Sequence, residues 1–136
     1  MAAFTISATV ARPYDDTVGA VREALGEQGF GILTEIDLKA TLKKKIDVDV
    51  EPQVILGACR PALAHEALSV EPSIAAVLPC NVVVRSVDAT TTVVEAFDPD
   101  AMMGLADSEA VRTVAADAKE RLTAALAALG PKKEAS

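Results

Sequence analysis

Two β-rich runs, NVVVRSV (81–87) and TTVVEAF (91–97), are separated only by DAT. A three-residue break between runs of that kind predicts a hairpin, and therefore an antiparallel sheet. A third stretch, QVILGAC (53–59), is nearly continuous apolar and reads as a central strand covered on both faces. FTISATV (4–10) alternates instead: Phe4, Ile6, Ala8 and Val10 face one way, Thr5, Ser7 and Thr9 the other. That is a strand with one buried face. FGILTEI (30–36) supplies a fifth strand, the second in chain order.

Helical spacing fills the gaps between strands. Pro13 and the Asp15–Asp16 pair open a helix in which Val18, Val21 and Leu25 share a face, and Gly29 closes it. Asp37 caps a short helix, DLKATLKKKI, where Leu38, Leu42 and Ile46 recur every four residues. Its lysines, Lys43 to Lys45, fall at the end that the helix dipole makes favourable for cations. Pro61 suits the first turn of PALAHEAL, and EPSIAAVL adds one more helical turn. A long helix follows DPDAMMGLADSE, with Val111, Val114, Ala118, Leu122, Ala125, Leu126 and Leu129 as its apolar stripe and Gly130–Pro131 as its stop. The predicted order is β-α-β-α-β-α-β-β-α, an α+β domain over residues 1–130 with a flexible tail at 131–136.

A chain of 136 residues is one domain by length and buries roughly two thirds of its unfolded surface, so its core needs no disulfide or metal staple. The net charge is −7 and aromatics make up 3%. Both argue against nucleic-acid binding, which wants a basic face and stacking rings. No apolar run approaches the ~20 residues that span a bilayer. The N-terminal stretch has no basic lead-in and no signal-peptide core. Two cysteines in such a chain are expected to be reduced thiols, and the expected location is the cytoplasm.

Three phrases in order, GFGILTEIDLKATLKKKIDVD, ILGACRPALAHEAL and LPCNVVV, followed by FDP and a C-terminal helix, resemble a bacterial and archaeal family known as domain of unknown function 302. The resemblance spans nearly the whole chain. It implies a curved, mainly antiparallel five-stranded sheet with helices on one side, similar to the TATA-binding-protein fold, and it implies homodimers. It implies no reaction and brings no catalytic residues. A sheet of that shape does not by itself carry DNA binding.

The stretch GACRPALAH concentrates the chemistry. Cys59 precedes His65, the only histidine, by six positions, and LPCN supplies Cys80, the only other cysteine. Cys59 stands at a helix N-terminus, where unpaired N–H groups lower a thiol pKa; Arg60 pushes the same way if it folds back. Two thiolates and an imidazole suit a soft metal such as zinc or copper, with the thioether of Met102 or Met103 as a further donor. The alternative is that both cysteines are packing residues, since free cysteine behaves as a small hydrophobe and neither has the short spacing of a zinc motif. Asn81, beside Cys80, bonds either to a neighbouring loop or to a ligand.

Other candidates fit structural roles. The GFG at 29–31 lacks the spacing of a nucleotide loop. Glu35 and Asp37 would need a shared pocket to act as an acid/base pair, and Asp37 is already a cap. Asp98 and Asp100 read as turn and cap chemistry.

The expectation is a non-enzymatic, homodimeric binding or accessory protein. Its small-ligand or metal site lies near Cys59, Arg60, His65, Cys80 and Asn81. The alternatives are a thiol-dependent enzyme or redox protein using Cys59 with Cys80 as resolving thiol, and an interaction module with inert cysteines. No cofactor is specified, a soft divalent metal being the one alternative. Nucleic acid and membrane are not expected partners.

Overall fold

The computed structural model describes residues 3–102 and 108–130. Five strands, β1 (Thr5–Val10), β2 (Gly31–Asp37), β3 (Gln53–Cys59), β4 (Cys80–Asp88) and β5 (Thr91–Phe97), form one antiparallel sheet in the order β1-β5-β4-β3-β2. The four helices are α1 (Tyr14–Glu27), α2 (Leu38–Ile46), α3 (Pro61–Val70) and α4 (Glu109–Ala127), with 3₁₀ turns at Pro72–Val77 and Pro99–Met102. This is the expected α+β class and element order. The expected tail, 131–136, lies outside the described residues.

Alternation decides what each strand buries. Val54, Leu56 and Ala58 of β3, Val82 and Val84 of β4, and Val94 and Ala96 of β5 point to one face. There they meet Val21, Ala24 and Leu25 of α1 and Leu122, Ala125 and Leu126 of α4. The face opposite carries half-buried Ile55, Val83 and Val93, with Arg85 and Glu95 among them. The continuous apolar reading of QVILGAC therefore overstated its cover. β4 is the middle strand, and β3 is packed under helices on one side only.

β2 is the expected strand, with an irregularity of its own. It forms one edge of the sheet, and a bulge between Ile32 and Thr34 leaves Leu33 out of the pairing and 60% exposed. The extra residue keeps Ile32 facing inward, opposite Ala58, while Ile36 turns outward, opposite Ile55.

The helix ends follow the predicted signals. Phe30 N–H donates to Leu25 O and Gly29 N–H to Gly26 O, a Schellman closure that places Gly29 at φ +86°. Asp37 Oδ1 accepts from Ala40 N at 2.9 Å, as its reading as an N-cap required. Ser108 Oγ accepts from Val111 N at 3.3 Å and starts α4. Asp98 and Asp100 fill the turn reading: Asp98 Oδ1 accepts from Asp100 N, and both carboxylates take Lys119.

On the outer face, Thr5 Oγ1 and the Arg85 guanidinium both donate to Glu95, holding its carboxyl below the usual range, the Arg85 bond being the largest cause. Gly57 lies on that face too, directly opposite Thr34. A Cβ there would fall 2.6 Å from Pro79 Cγ and closer still to Thr34 Oγ1. Replacing Gly57 by alanine is therefore expected to destabilise the fold by about 1–3 kcal/mol, the usual range for overpacking. Chemical denaturation checks this, and an unchanged midpoint would mean that Thr34 and Pro79 move aside freely.

Candidate functional site

Where β3 ends and β4 begins, the helical cover changes hands. Ala58 pairs with Cys80, and Cys59 stands beside that pair as the chain turns into α3. α1 ends at the rim here, and none of its residues lines the space. The roof consists of Leu63, Ala64 and Ala67 of α3, Ile74 and Leu78 at the 3₁₀ turn, and Val111, Val114, Ala115 and Ala118 of α4. With Phe30, Arg60 and Pro99 these residues enclose a cavity of about 50 Å³. Roughly 10–15 Å³ on this scale admits one water, so the space suits a small group. Three of these lining residues, Ala67, Ile74 and Val111, form a buried cluster of their own.

Cys59 and Cys80 both line the cavity; each is a free thiol, 9% exposed. Burial pushes both thiols up, and Cys59 adds to the rise at Cys80. This reverses the expectation of an acidified Cys59. Desolvation by burial is the cause, since it disfavours the thiolate. Arg60 does not supply the missing push, because its Nη1 donates to Asp117.

Arg60 instead belongs to a clamp at the cavity rim. Asp117 on α4 also accepts from Arg121 Nε at 3.1 Å, and Arg121 Nη1 donates to Gln28 O at 3.2 Å. The Arg60 side chain crosses Gly29, where a Cβ would meet its Nε at 3.1 Å. The clamp thus joins the end of α1, the start of α3 and the middle of α4.

The structure brings together Cys59, Arg60 and Cys80 of the predicted residues. His65 and Asn81 are elsewhere. On α3, Leu63, Ala64 and Ala67 face the cavity, and His65 lies on the exposed side. Asn81 pairs with Gly57 and is exposed on the outer sheet face, one position out of phase with Cys80. The set Cys59, His65, Cys80 is therefore not assembled. Among the described residues no group of three or more His, Cys, Asp or Glu could hold a metal ion. Met103 and the side chain of Met102 lie outside the described residues.

A second, more open cleft of about 310 Å³ went unread in the sequence. Tyr14, Asp15 and Val18 of α1 face Glu35, Asp37 and Val54 across it. Burial and the nearby Asp37 and Asp15 raise the Tyr14 hydroxyl. Glu35 pairs with Arg22, and Asp37 serves as the α2 cap, so both carboxylates have partners. The signal for this cleft was the bulge at Leu33, which turns Glu35 to the helix side opposite Leu56, and bulges leave no reliable mark in a single sequence.

The family described as domain of unknown function DUF302 matches residues 6–129. The chain belongs to that family. The crystal structure of an uncharacterized conserved DUF302 protein from Bacillus stearothermophilus is similar to it, with a TM-score of 0.85 and 29% identity, covering 95% of this chain and 100% of that one. No curated protein matches. Among the described residues, no helix of this DUF302 chain is long and apolar enough to cross a membrane.

The raised thiols carry a pH signature. At pH 7, iodoacetamide is expected to alkylate both cysteines of native protein far more slowly than free cysteine, and the rate should climb only above the ordinary thiol range near pH 8.5. Mass spectrometry over time reads this directly. Fast modification of Cys59 at neutral pH would contradict the burial argument and revive the thiol-enzyme reading.

Proposed function

We propose that this DUF302 domain is a non-enzymatic binding protein whose ligand is a small, largely apolar or soft group seated in the thiol-lined cavity. The observation that carries this reading is the lining itself. Five alanines, at 58, 64, 67, 115 and 118, surround the space where larger side chains would close it. Cys59, Cys80 and Arg60 are the residues of the wall that carry polar groups. Pockets of this kind take orientation from a few polar groups and affinity from apolar contact. Buried thiols held above their ordinary range favour binding over nucleophilic chemistry.

Xenon is a suitable probe, since it enters dry apolar cavities. Under xenon pressure, amide resonances of residues 58–60, 80 and 111–118 are expected to shift, and Ala118→Leu, which fills the space, should abolish the shifts without unfolding the chain. Shifts confined to other regions would end this reading.

The working unit in this proposal is a homodimer. Ile55, Val83 and Val93 lie together on the sheet face that no helix covers, and a second copy of that face would remove them from water. Sedimentation is expected to give a dimer, and Val83→Lys a folded monomer. A monomeric parent protein overturns the dimer and leaves the cavity proposal intact.

A further inference from the structure

We infer that the cavity selects by polarity and size: its ligand is an uncharged molecule of about three to five non-hydrogen atoms without a strong hydrogen-bonding group, the class of dimethyl sulfide and the short alkanes. Acids, amines and alcohols of the same size are rejected. The inference rests on the reading of this cavity as the binding site and names the chemistry of what enters it. Three observations converge on it.

The first is that the wall has little to offer a polar ligand. Its surface is almost wholly apolar, and Arg60 is the one charged residue in it. The Arg60 guanidinium is directed to Asp117 on α4. Ala58 pairs with Ile32 on one side and Cys80 on the other, so its backbone lies inside the ladder. Among the described residues every buried side-chain nitrogen or oxygen has a hydrogen-bond partner. A site shaped to hydrogen-bond its ligand leaves such groups unpaired until the ligand arrives. Cys80 shares the inner phase of Val82 and Val84 and so faces the helices. Its thiol, raised by burial, is uncharged at neutral pH and is only a weak donor. A sulfide sulfur or a methyl group suits such a neighbour.

The second is charge at the rim. Arg60, Arg121 and Lys119 stand against Asp98, Asp100 and Asp117, and these charges cancel. An ion entering the apolar space would lose its hydration and meet no net countercharge. A hydroxyl left there without a partner would lower affinity by roughly ten- to a hundred-fold.

The third is volume. The space measures about 50 Å³. A water takes roughly 10–15 Å³ on this scale, and an apolar cavity of roughly 150 Å³ admits benzene. A short chain fits the space and a six-membered ring does not.

The test is an amide NMR titration of the reduced full chain with a matched series: dimethyl sulfide, isopropanol, acetate, isopropylammonium and benzene. Dimethyl sulfide is expected to shift Ala58, Ala64, Ala67, Ala115 and Ala118 saturably, and Ala118→Leu to abolish those shifts. Isopropanol should bind at least roughly tenfold more weakly. Acetate, isopropylammonium and benzene should leave these resonances in place. If Ala118→Leu fails to fold, nuclear Overhauser contacts between dimethyl sulfide and the alanine methyls locate the ligand in the parent chain. Acetate or isopropylammonium binding at these alanines, isopropanol matching dimethyl sulfide, or benzene entering each overturns the inference. Xenon entry without dimethyl sulfide binding would refute the selection alone; failure of both would refute the cavity as a site.

Discussion

Leu56, Val82, Val84 and Val94 sit side by side on the inner sheet face with no measurable exposure, and α1 and α4 lie across them. Burying side chains of this size contributes about 1.5–3 kcal/mol each. The rest of the architecture follows from keeping that face dry. α1 and α4 must run together over the sheet, and Arg12 helps to hold them in place by donating to Leu129 O just past α4. The Thr17 and Thr92 hydroxyls, buried under the same cover, are satisfied by the Pro13 and Arg12 carbonyls. The cavity arises where this cover runs out. At the Cys80 end, α4 continues beyond α1 and is met by α3, whose alanines do not fill the gap.

That origin explains the character of the site. A gap in an apolar layer is itself apolar, so the thiols that face it remain protonated, and charge is confined to the rim. Arg60 and Arg121 reach Asp117 there, with Lys119 held nearby by Asp98 and Asp100. The DUF302 protein from Bacillus stearothermophilus has a similar fold over 95% of this chain.

Local signals were legible and nonlocal ones were not. The β4–β5 hairpin, the Asp37 cap and the glycine closure at Gly29 each depend on a few neighbouring residues, and each stands where the sequence placed it. His65 was grouped with the cysteines on proximity along the chain. Helical phase separates it: Leu63, Ala64, Ala67 and Leu68 form the covered side of α3, and position 65 falls outside that arc. The edge position of β2 went unread for a different reason. FGILTEI has the composition of a covered strand, yet it sits at a sheet edge, and edge position is set by the topology of the whole chain. The cavity needs contributions from β3, α3, the 3₁₀ turn, β4 and α4 at once, and no window of sequence contains them.

The bulge at Leu33 bears on where the sheet stops. A strand at the edge offers unpaired N–H and C=O groups in a row, a template on which further chains can add. In β2 that row is broken after two residues. Any incoming strand matched to Gly31 and Ile32 is out of step with Thr34 to Asp37 unless it carries a compensating bulge of its own. Around the break, Glu35 and Asp37 add charge to the same strand. One inserted residue therefore serves as a terminator of growth, keeping a valine-rich sheet from recruiting its copies edge to edge.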